Sequence, residues 1–137
     1  MKENLNVLII DDMKSARDEI ISYLKEYIPN IKIYEAEDGL DGYAIMQRYK
    51  NIIDLIFTDI NMPNVNGLKL IKILREVEGC KDLPIIVVSI MNETSDIEKA
   101  ISLGANGYIT KPTNKKDFEI IYTAIIEPLL HKKIIKF

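Results

Sequence analysis

Three acids stand at the ends of apolar runs. Asp11 and Asp12 follow Val7-Leu8-Ile9-Ile10, and Asp59 follows Leu55-Ile56-Phe57-Thr58. A carboxylate at the mouth of an apolar core is costly, because burial penalises its charge and neighbouring like charges add repulsion. A divalent cation removes both penalties. Carboxylates with a backbone carbonyl suit Mg²⁺, which keeps some of its waters and leaves room for a phosphate. Asn61, two residues past Asp59, is placed to offer that carbonyl. Two further apolar runs end in complementary groups: Ser89 closes Pro84-Ile85-Ile86-Val87-Val88 with a hydroxyl, and Lys111-Pro112 follows Gly107-Tyr108-Ile109-Thr110. An acid, a hydroxyl, an ammonium and a metal around one point describe phosphoryl transfer, which asks the protein mainly for positioning and charge neutralisation. A carboxylate can itself be the nucleophile. Each signal alone has a plainer meaning, since Asp-Asp also reads as a helix N-cap and a lysine after a strand is usually solvated. The chemistry therefore depends on what brings these positions together.

The chain alternates apolar runs with stretches of helical period. Residues 7–10 read as a buried strand, followed by a helix over 15–28 with Ala16, Ile20, Leu24 and Tyr27 at helical spacing, stopped by Pro29-Asn30. Residues 31–36 alternate, with Ile31 and Ile33 facing one way. A weaker helix covers 39–50, a third strand 54–58, and a helix 68–77 that ends near Gly79. A fourth strand spans 84–89. A helix over 95–104 carries a capping box, Ser95 with Glu98, and stops at Gly104. A short fifth strand covers 107–110, and the last helix starts near Lys115 with Phe118, Ile121, Ile125 and Leu129 on one stripe.

Five strands alternating with five helices make an α/β fold with a parallel sheet covered on both faces. The continuously apolar strands 1, 3 and 4 belong in the centre, and the alternating strand 2 and short strand 5 at the edges. That is the doubly wound, flavodoxin-like order 2-1-3-4-5, whose ligands sit beyond the carboxyl ends of strands 1 and 3. Asp11, Asp12 and Asp59 then meet at one point, with Ser89 and Lys111 feeding the same edge. Pro63 stiffens the loop after Asp59, Gly67 lets it enter the next helix, and Pro112 is suited to fix the direction of Lys111 through a cis peptide bond.

At 137 residues the chain fits one domain, with a core of about 5–127 and a C-terminal extension over 128–137. A net charge of −3 argues against direct nucleic-acid binding, which needs a basic footprint. The basic cluster His131-Lys132-Lys133 with Lys136 reads as a solvated tail. Cys80 is the single cysteine, so no internal disulfide forms. No signal peptide pattern or membrane-length apolar stretch is present, and a cytoplasmic address without membrane insertion is the expectation.

The motifs IIDD, FTDINMPNVNG, PIIVVS and GANGYITKP, in this order at these strand ends, resemble the receiver domain of two-component response regulators, closest to the single-domain chemotaxis type. The resemblance implies Asp59 as phosphoacceptor from the phosphohistidine of a sensor histidine kinase or a phosphotransfer protein. It implies Mg²⁺ bound by Asp12 directly, by Asp11 through water, by Asp59 and by the main-chain carbonyl of Asn61. Ser89 and Lys111 would hold the phosphoryl group, and Tyr108 occupies the aromatic switch position. The resemblance further implies an output protein docking on helix 4, strand 5 and helix 5.

Two features depart from the family pattern. Ile90 stands where a small residue is usual, with apolar Met91 after it, which predicts slow phosphorylation from small donors relative to Ile90→Ala. Pro128 is expected to kink or end the last helix. Beyond it Leu129, Leu130, Ile134, Ile135 and Phe137 read either as last-turn packing or as a surface for a homodimer mate or partner. His131 has no acidic neighbour in sequence and is not assigned to a metal or a phosphorelay. Three other classes fit the residues less well. An aspartate-nucleophile phosphohydrolase needs a second acid where Asn61 stands. An unphosphorylated adaptor would not need all five site positions intact. A dinucleotide-binding domain needs a Gly-rich turn after strand 1.

Overall fold

The computed structural model describes residues 5–135. Among them, strands β1 (Leu5–Ile10), β2 (Ile31–Ala36), β3 (Leu55–Thr58), β4 (Ile85–Ser89) and β5 (Gly107–Thr110) form one parallel sheet in the order β2-β1-β3-β4-β5. Helices α1 (Lys14–Tyr27), α2 (Gly39–Tyr49), α3 (Gly67–Glu76) and α4 (Thr94–Leu103) connect them. The expected topology is therefore present, and its cause is visible in the strands. Although residues 7–10 of β1 are continuously apolar, the strand's residues divide by period two between two cores. Leu8 and Ile10 join Ile56, Val87 and the buried faces of α2, α3 and α4. Leu5, Val7 and Ile9 join Phe57, Val88, Ile109, α1 and Phe118 on the other side. Ile31 and Ile33 share this second side, as the alternation in β2 requires.

Register places the chemistry. Ile10 pairs with Thr58, so the residues that follow, Asp11 and Asp59, leave the sheet side by side. Ser89 pairs with Thr110, and the Lys111 amide donates to the Ser89 carbonyl at 2.8 Å.

Three local expectations are corrected. The capping box of α4 is Glu93 with Asp96, not Ser95 with Glu98: the helix begins at Thr94, its N-cap two residues earlier than expected, and the Glu93 amide donates to Asp96 at 3.2 Å. Pro128 does not end the last helix. Helix α5 (Lys115–Ile121) passes into a π-helical turn (Tyr122–Ile126) and continues as α6 (Glu127–Ile135). Pro128 is then the second residue after the π turn, and the helical path runs on through it. The same wide turn changes the buried stripe. One π turn separates Ile121 from Ile126, so Ile126 is fully buried while Ile125 is half-buried. Leu129 and Leu130 pack against the α1–α5 side of the core. Lys136 and Phe137 lie outside the described residues, as do the side chains of Lys133, Ile134 and Ile135. No described helix is long and apolar enough to cross a membrane.

Candidate phosphoacceptor and metal site

Asp59 is 8% exposed and Asp11 3%, whereas Asp12 projects to solvent. Carboxylate oxygens of the three lie within 4.8 Å of one another. Asp59 is anchored at both ends: its amide donates to the Ile10 carbonyl at 2.9 Å, and its Oδ1 accepts from the Ile60 amide at 2.7 Å. Asp11 Oδ1 accepts from the Met13 amide at 2.9 Å. That bond answers the helix-cap reading, because Met13 itself is the N-cap of α1 and makes no side-chain cap.

Lys111 reaches into the cluster. Its Nζ lies 2.6 Å from Asp11 Oδ2 and 3.1 Å from Asp59 Oδ2, and the peptide bond to Pro112 is cis. Burial alone would lower the Lys111 pKa, but Asp11 and Asp59 outweigh it and hold the ammonium above its ordinary value. Asp59 behaves differently. Burial pushes its carboxyl above the usual range, and neither Lys111 nor the Ile60 amide cancels the effect. A single ammonium therefore leaves the acids short of positive charge. The donor set, hard carboxylate oxygens within reach of one small ion, fits a magnesium-type cation.

The loop from Asp59 to α3 is held by close backbone approach. The Gly67 amide donates to the Ile60 carbonyl at 2.9 Å, and a Cβ on Gly67 would sit 1.9 Å from the Asp59 carbonyl oxygen. Gly67 is thus required for proximity to the acid rather than for an unusual φ. Asn66 caps α3 by accepting from the Lys69 amide at 2.9 Å. Asn64 adopts φ 67° and donates to Asp38 Oδ2 at 2.6 Å, and the Gly39 amide donates to the Val65 carbonyl at 3.0 Å. Asn61 and Pro63 are exposed along this loop.

Ser89 is fully buried, and its Oγ accepts from the Met91 amide at 3.2 Å. The Tyr108 hydroxyl donates to the Met91 carbonyl at 2.5 Å, so the ring is tied to the β4–α4 loop, half-buried against the core. Ile90 is 70% exposed and lines a cleft of about 460 Å³ with Met13, Lys111 and Pro112.

Sequence reasoning missed two supports. Asp38 and Asn64 tie the phosphoacceptor loop to α2, and their pairing has no sequence signal. Arg17 does have one: it sits three residues before Ile20 and seven before Leu24, on the buried stripe of α1. A cation there asks for a partner, and it has two, Glu35 Oε1 at 2.8 Å and the Asp11 carbonyl at 2.6 Å.

Comparison with known proteins agrees with this geometry. The response regulator receiver domain family matches residues 7–122. The chemotaxis protein CheY-3 of Vibrio cholerae is 33% identical over 82% of this chain and 84% of its own length. A longer plant regulator-like relative matches 88% of this chain, which spans only 25% of it. The solved structure of CheY4 of Vibrio cholerae superposes with a TM-score of 0.78 over 93% of this chain and 99% of that one, at 24% identity, and shares its fold. The manganese-bound response regulator Rcp1 has a TM-score of 0.76 and 25% identity over 90% of this chain and 95% of its own. Receiver domains are signalling phosphoacceptors that bind a divalent metal and interact with kinases and downstream partners, and this chain belongs to the response regulator receiver domain family.

Proposed function

We propose that residues 1–137 act as one receiver domain in which Asp59 accepts a phosphoryl group from the phosphohistidine of a sensor kinase or a phosphotransfer protein. The observation that carries this reading is the convergence of Asp11, Asp12 and Asp59 within 4.8 Å, with Lys111 bridging two of them. A carboxylate oxygen of Asp59 attacks phosphorus, the P–O bond forms, and the P–N bond to the donor imidazole breaks. The Ile60 amide orients Asp59, and the Lys111 ammonium, 3.1 Å from Oδ2, is placed to follow negative charge onto the incoming phosphoryl oxygens. Asp11, Asp12, Asp59 and the Asn61 carbonyl would hold Mg²⁺, which when bound supplies electrostatic stabilisation of the transferred group. The protein so described assists its own phosphorylation and dephosphorylation and turns over no separate substrate.

Output follows from packing around Ser89. A phosphoryl group offers strong acceptor oxygens. They can accept from the Ser89 hydroxyl and draw it inward, away from the Met91 amide that now donates to its Oγ, and the Met91 carbonyl also holds the Tyr108 hydroxyl. A shift of Ser89 therefore alters the anchor of Tyr108 and the α4–β5–α5 surface. That surface exposes Ile101 at 45% and Ile120 at 58%, apolar contacts suited to an output protein.

The test is labelling by acetyl phosphate with and without Mg²⁺, read on a phosphate-affinity gel. Wild type is expected to shift only with Mg²⁺ and Asp59→Asn not at all, and amide resonances over residues 90–125 should move with beryllofluoride. Equal labelling of Asp59→Asn would end the assignment.

A further inference from the structure

We infer that Arg17 is a positioning residue for the metal-binding carboxylates, setting the Asp11–Asp12 peptide from behind the site; this rests on the reading of the site given above. Arg17 is 8% exposed. Its Nε is held by Glu35 on β2 at 2.8 Å, which aims Nη1 at the Asp11 carbonyl, 2.6 Å away. The Asp11 amide in turn donates to the Ala36 carbonyl at 3.0 Å, one residue beyond Glu35. Both sides of the Asp11 backbone are thus tied to the end of β2, one through the sheet and one through the guanidinium.

This matters most for Asp12. Asp11 has its own side-chain anchors in Met13 and Lys111. Among the described residues no hydrogen bond holds the Asp12 carboxylate, which is exposed. Its direction comes from the backbone, and the peptide plane joining it to Asp11 is fixed by the bond between the Asp11 carbonyl and Arg17. Without Arg17 that buried carbonyl loses its partner, and the plane is free to rotate towards water. The carboxylate of Asp12 would then spend less time beside Asp11 and Asp59.

Charge and position make opposite predictions here. As a cation near the acids, Arg17 repels a divalent ion, so removing its charge should tighten magnesium binding. As a positioning residue, its loss should weaken binding. Outer partners of metal ligands typically change affinity by about 10–100-fold. The experiment is calorimetric titration with Mg²⁺ at low temperature on the full chain, wild type against Arg17→Met, Arg17→Lys and Glu35→Gln, with urea melts to confirm folding. Arg17→Met is expected to raise Kd about 10-fold. The rate of labelling by acetyl phosphate at saturating Mg²⁺ should stay near wild type, which separates a positioning effect from a general structural one. Arg17→Lys keeps the charge but cannot span both acceptors with a planar fork, so it too should weaken binding. Should Arg17→Met fail to fold, the lysine variant carries the same expectation at unchanged charge, while Glu35→Gln, which removes the anchor of Arg17 and leaves its charge unmatched, should weaken binding on both accounts. Unchanged or tighter binding in folded variants, beside normal wild-type binding, overturns the inference alone. A wild type that binds no Mg²⁺ overturns the site reading and the inference together.

Discussion

Replacing Gly67 by alanine tests the coupling between loop geometry and chemistry most directly. The new Cβ would lie 1.9 Å from the Asp59 carbonyl oxygen, 2.9 Å from its carbon and 3.0 Å from the Ile60 Cα. Real contacts of this kind rarely fall below 3.0 Å, so helix α3 and the Asp59 peptide must separate by about 1.1 Å. The obstacle is backbone, not the far end of a flexible side chain. Overpacking of this kind costs roughly 1–3 kcal/mol, or on the order of 4–10 °C in Tm for a domain of this size. The larger consequence is chemical. A misplacement of about 1 Å in reacting groups costs on the order of 100-fold in rate, and here the displaced peptide belongs to the phosphoacceptor. Labelling by acetyl phosphate and Mg²⁺, at a temperature where urea melts show the variant fully folded, should fall by that order. Gly79→Ala is the control. Gly79 has φ +91°, so alanine is strained there too, yet nothing lies within 4 Å of its Cβ. It should lose about 1 kcal/mol of stability with no change in labelling. Wild-type labelling by Gly67→Ala, or an equal loss in Gly79→Ala, would refute the argument.

Two further predictions concern charge. In Lys111→Met the acids lose the ammonium that bridges Asp11 and Asp59. The metal-free protein should melt lower than wild type, and Mg²⁺ should raise its Tm by more. The larger shift requires tighter binding, each tenfold fall in Kd adding about 1.4 kcal/mol at one fixed Mg²⁺ concentration, and a shift at that concentration no larger than in wild type would count against mutual compensation by lysine and metal. Asp38 supplies a pH dependence. The Asp41 amide and then Asn64 hold its carboxyl below the ordinary aspartate value. The stability it contributes is therefore complete above the unfolded value of about 3.9 and disappears as pH falls through the lower folded value. The stability difference between wild type and Asp38→Asn, followed by urea melts, should be flat above pH 5 and shrink below pH 4; a difference that grows on acidification would contradict the bond pattern.

The contrast between what the residues announced and what they concealed has a physical basis. The central strands were legible because continuous apolar runs tolerate burial on both faces, and their order placed Asp11, Asp59, Ser89 and Lys111 at one edge without knowledge of any side chain. Contacts made through single atoms at close range were not legible. Gly39 beside the Val65 carbonyl and Gly67 beside the Asp59 carbonyl depend on two segments meeting to within a few ångströms, which no periodicity encodes. The π turn was hidden because Ile125 and Ile126 are both apolar, so four-residue and five-residue spacings fit equally well. At α4, Ser95-x-x-Glu98 and Glu93-x-x-Asp96 offer competing boxes. The usual preference for serine lost, because the box from Glu93 forms and Ser95 lies inside the first turn. Arg17 was overlooked because a charged residue on a helix is ordinarily solvated, and only its place on the Ile20–Leu24 stripe argued otherwise.

The raised pKa of Asp59 gives these pieces one electrostatic logic. Three carboxylates and one ammonium leave two negative charges at the cluster, while the charge of Arg17 is matched by Glu35. A divalent cation brings the cluster to neutrality, which removes the penalty on an ionised, nucleophilic Asp59. Transfer then turns the Asp59 carboxylate into an acyl phosphate carrying about −1.5 to −2 charges, a net gain of roughly one negative charge in the same confined place. Among the described residues, Lys111 is the cation already in contact with the acids, so the remaining demand falls on neutral donors nearby. The Ser89 hydroxyl is one such donor, and drawing it towards the phosphoryl group stretches the bond its Oγ accepts from the Met91 amide, whose carbonyl anchors Tyr108. The switch thus follows from charge accounting at the acids, and it predicts that Ser89→Ala should accept phosphate yet leave the resonances of Tyr108 and helix α4 near their unphosphorylated positions. A full wild-type shift in that variant would show that the signal leaves the site by another route.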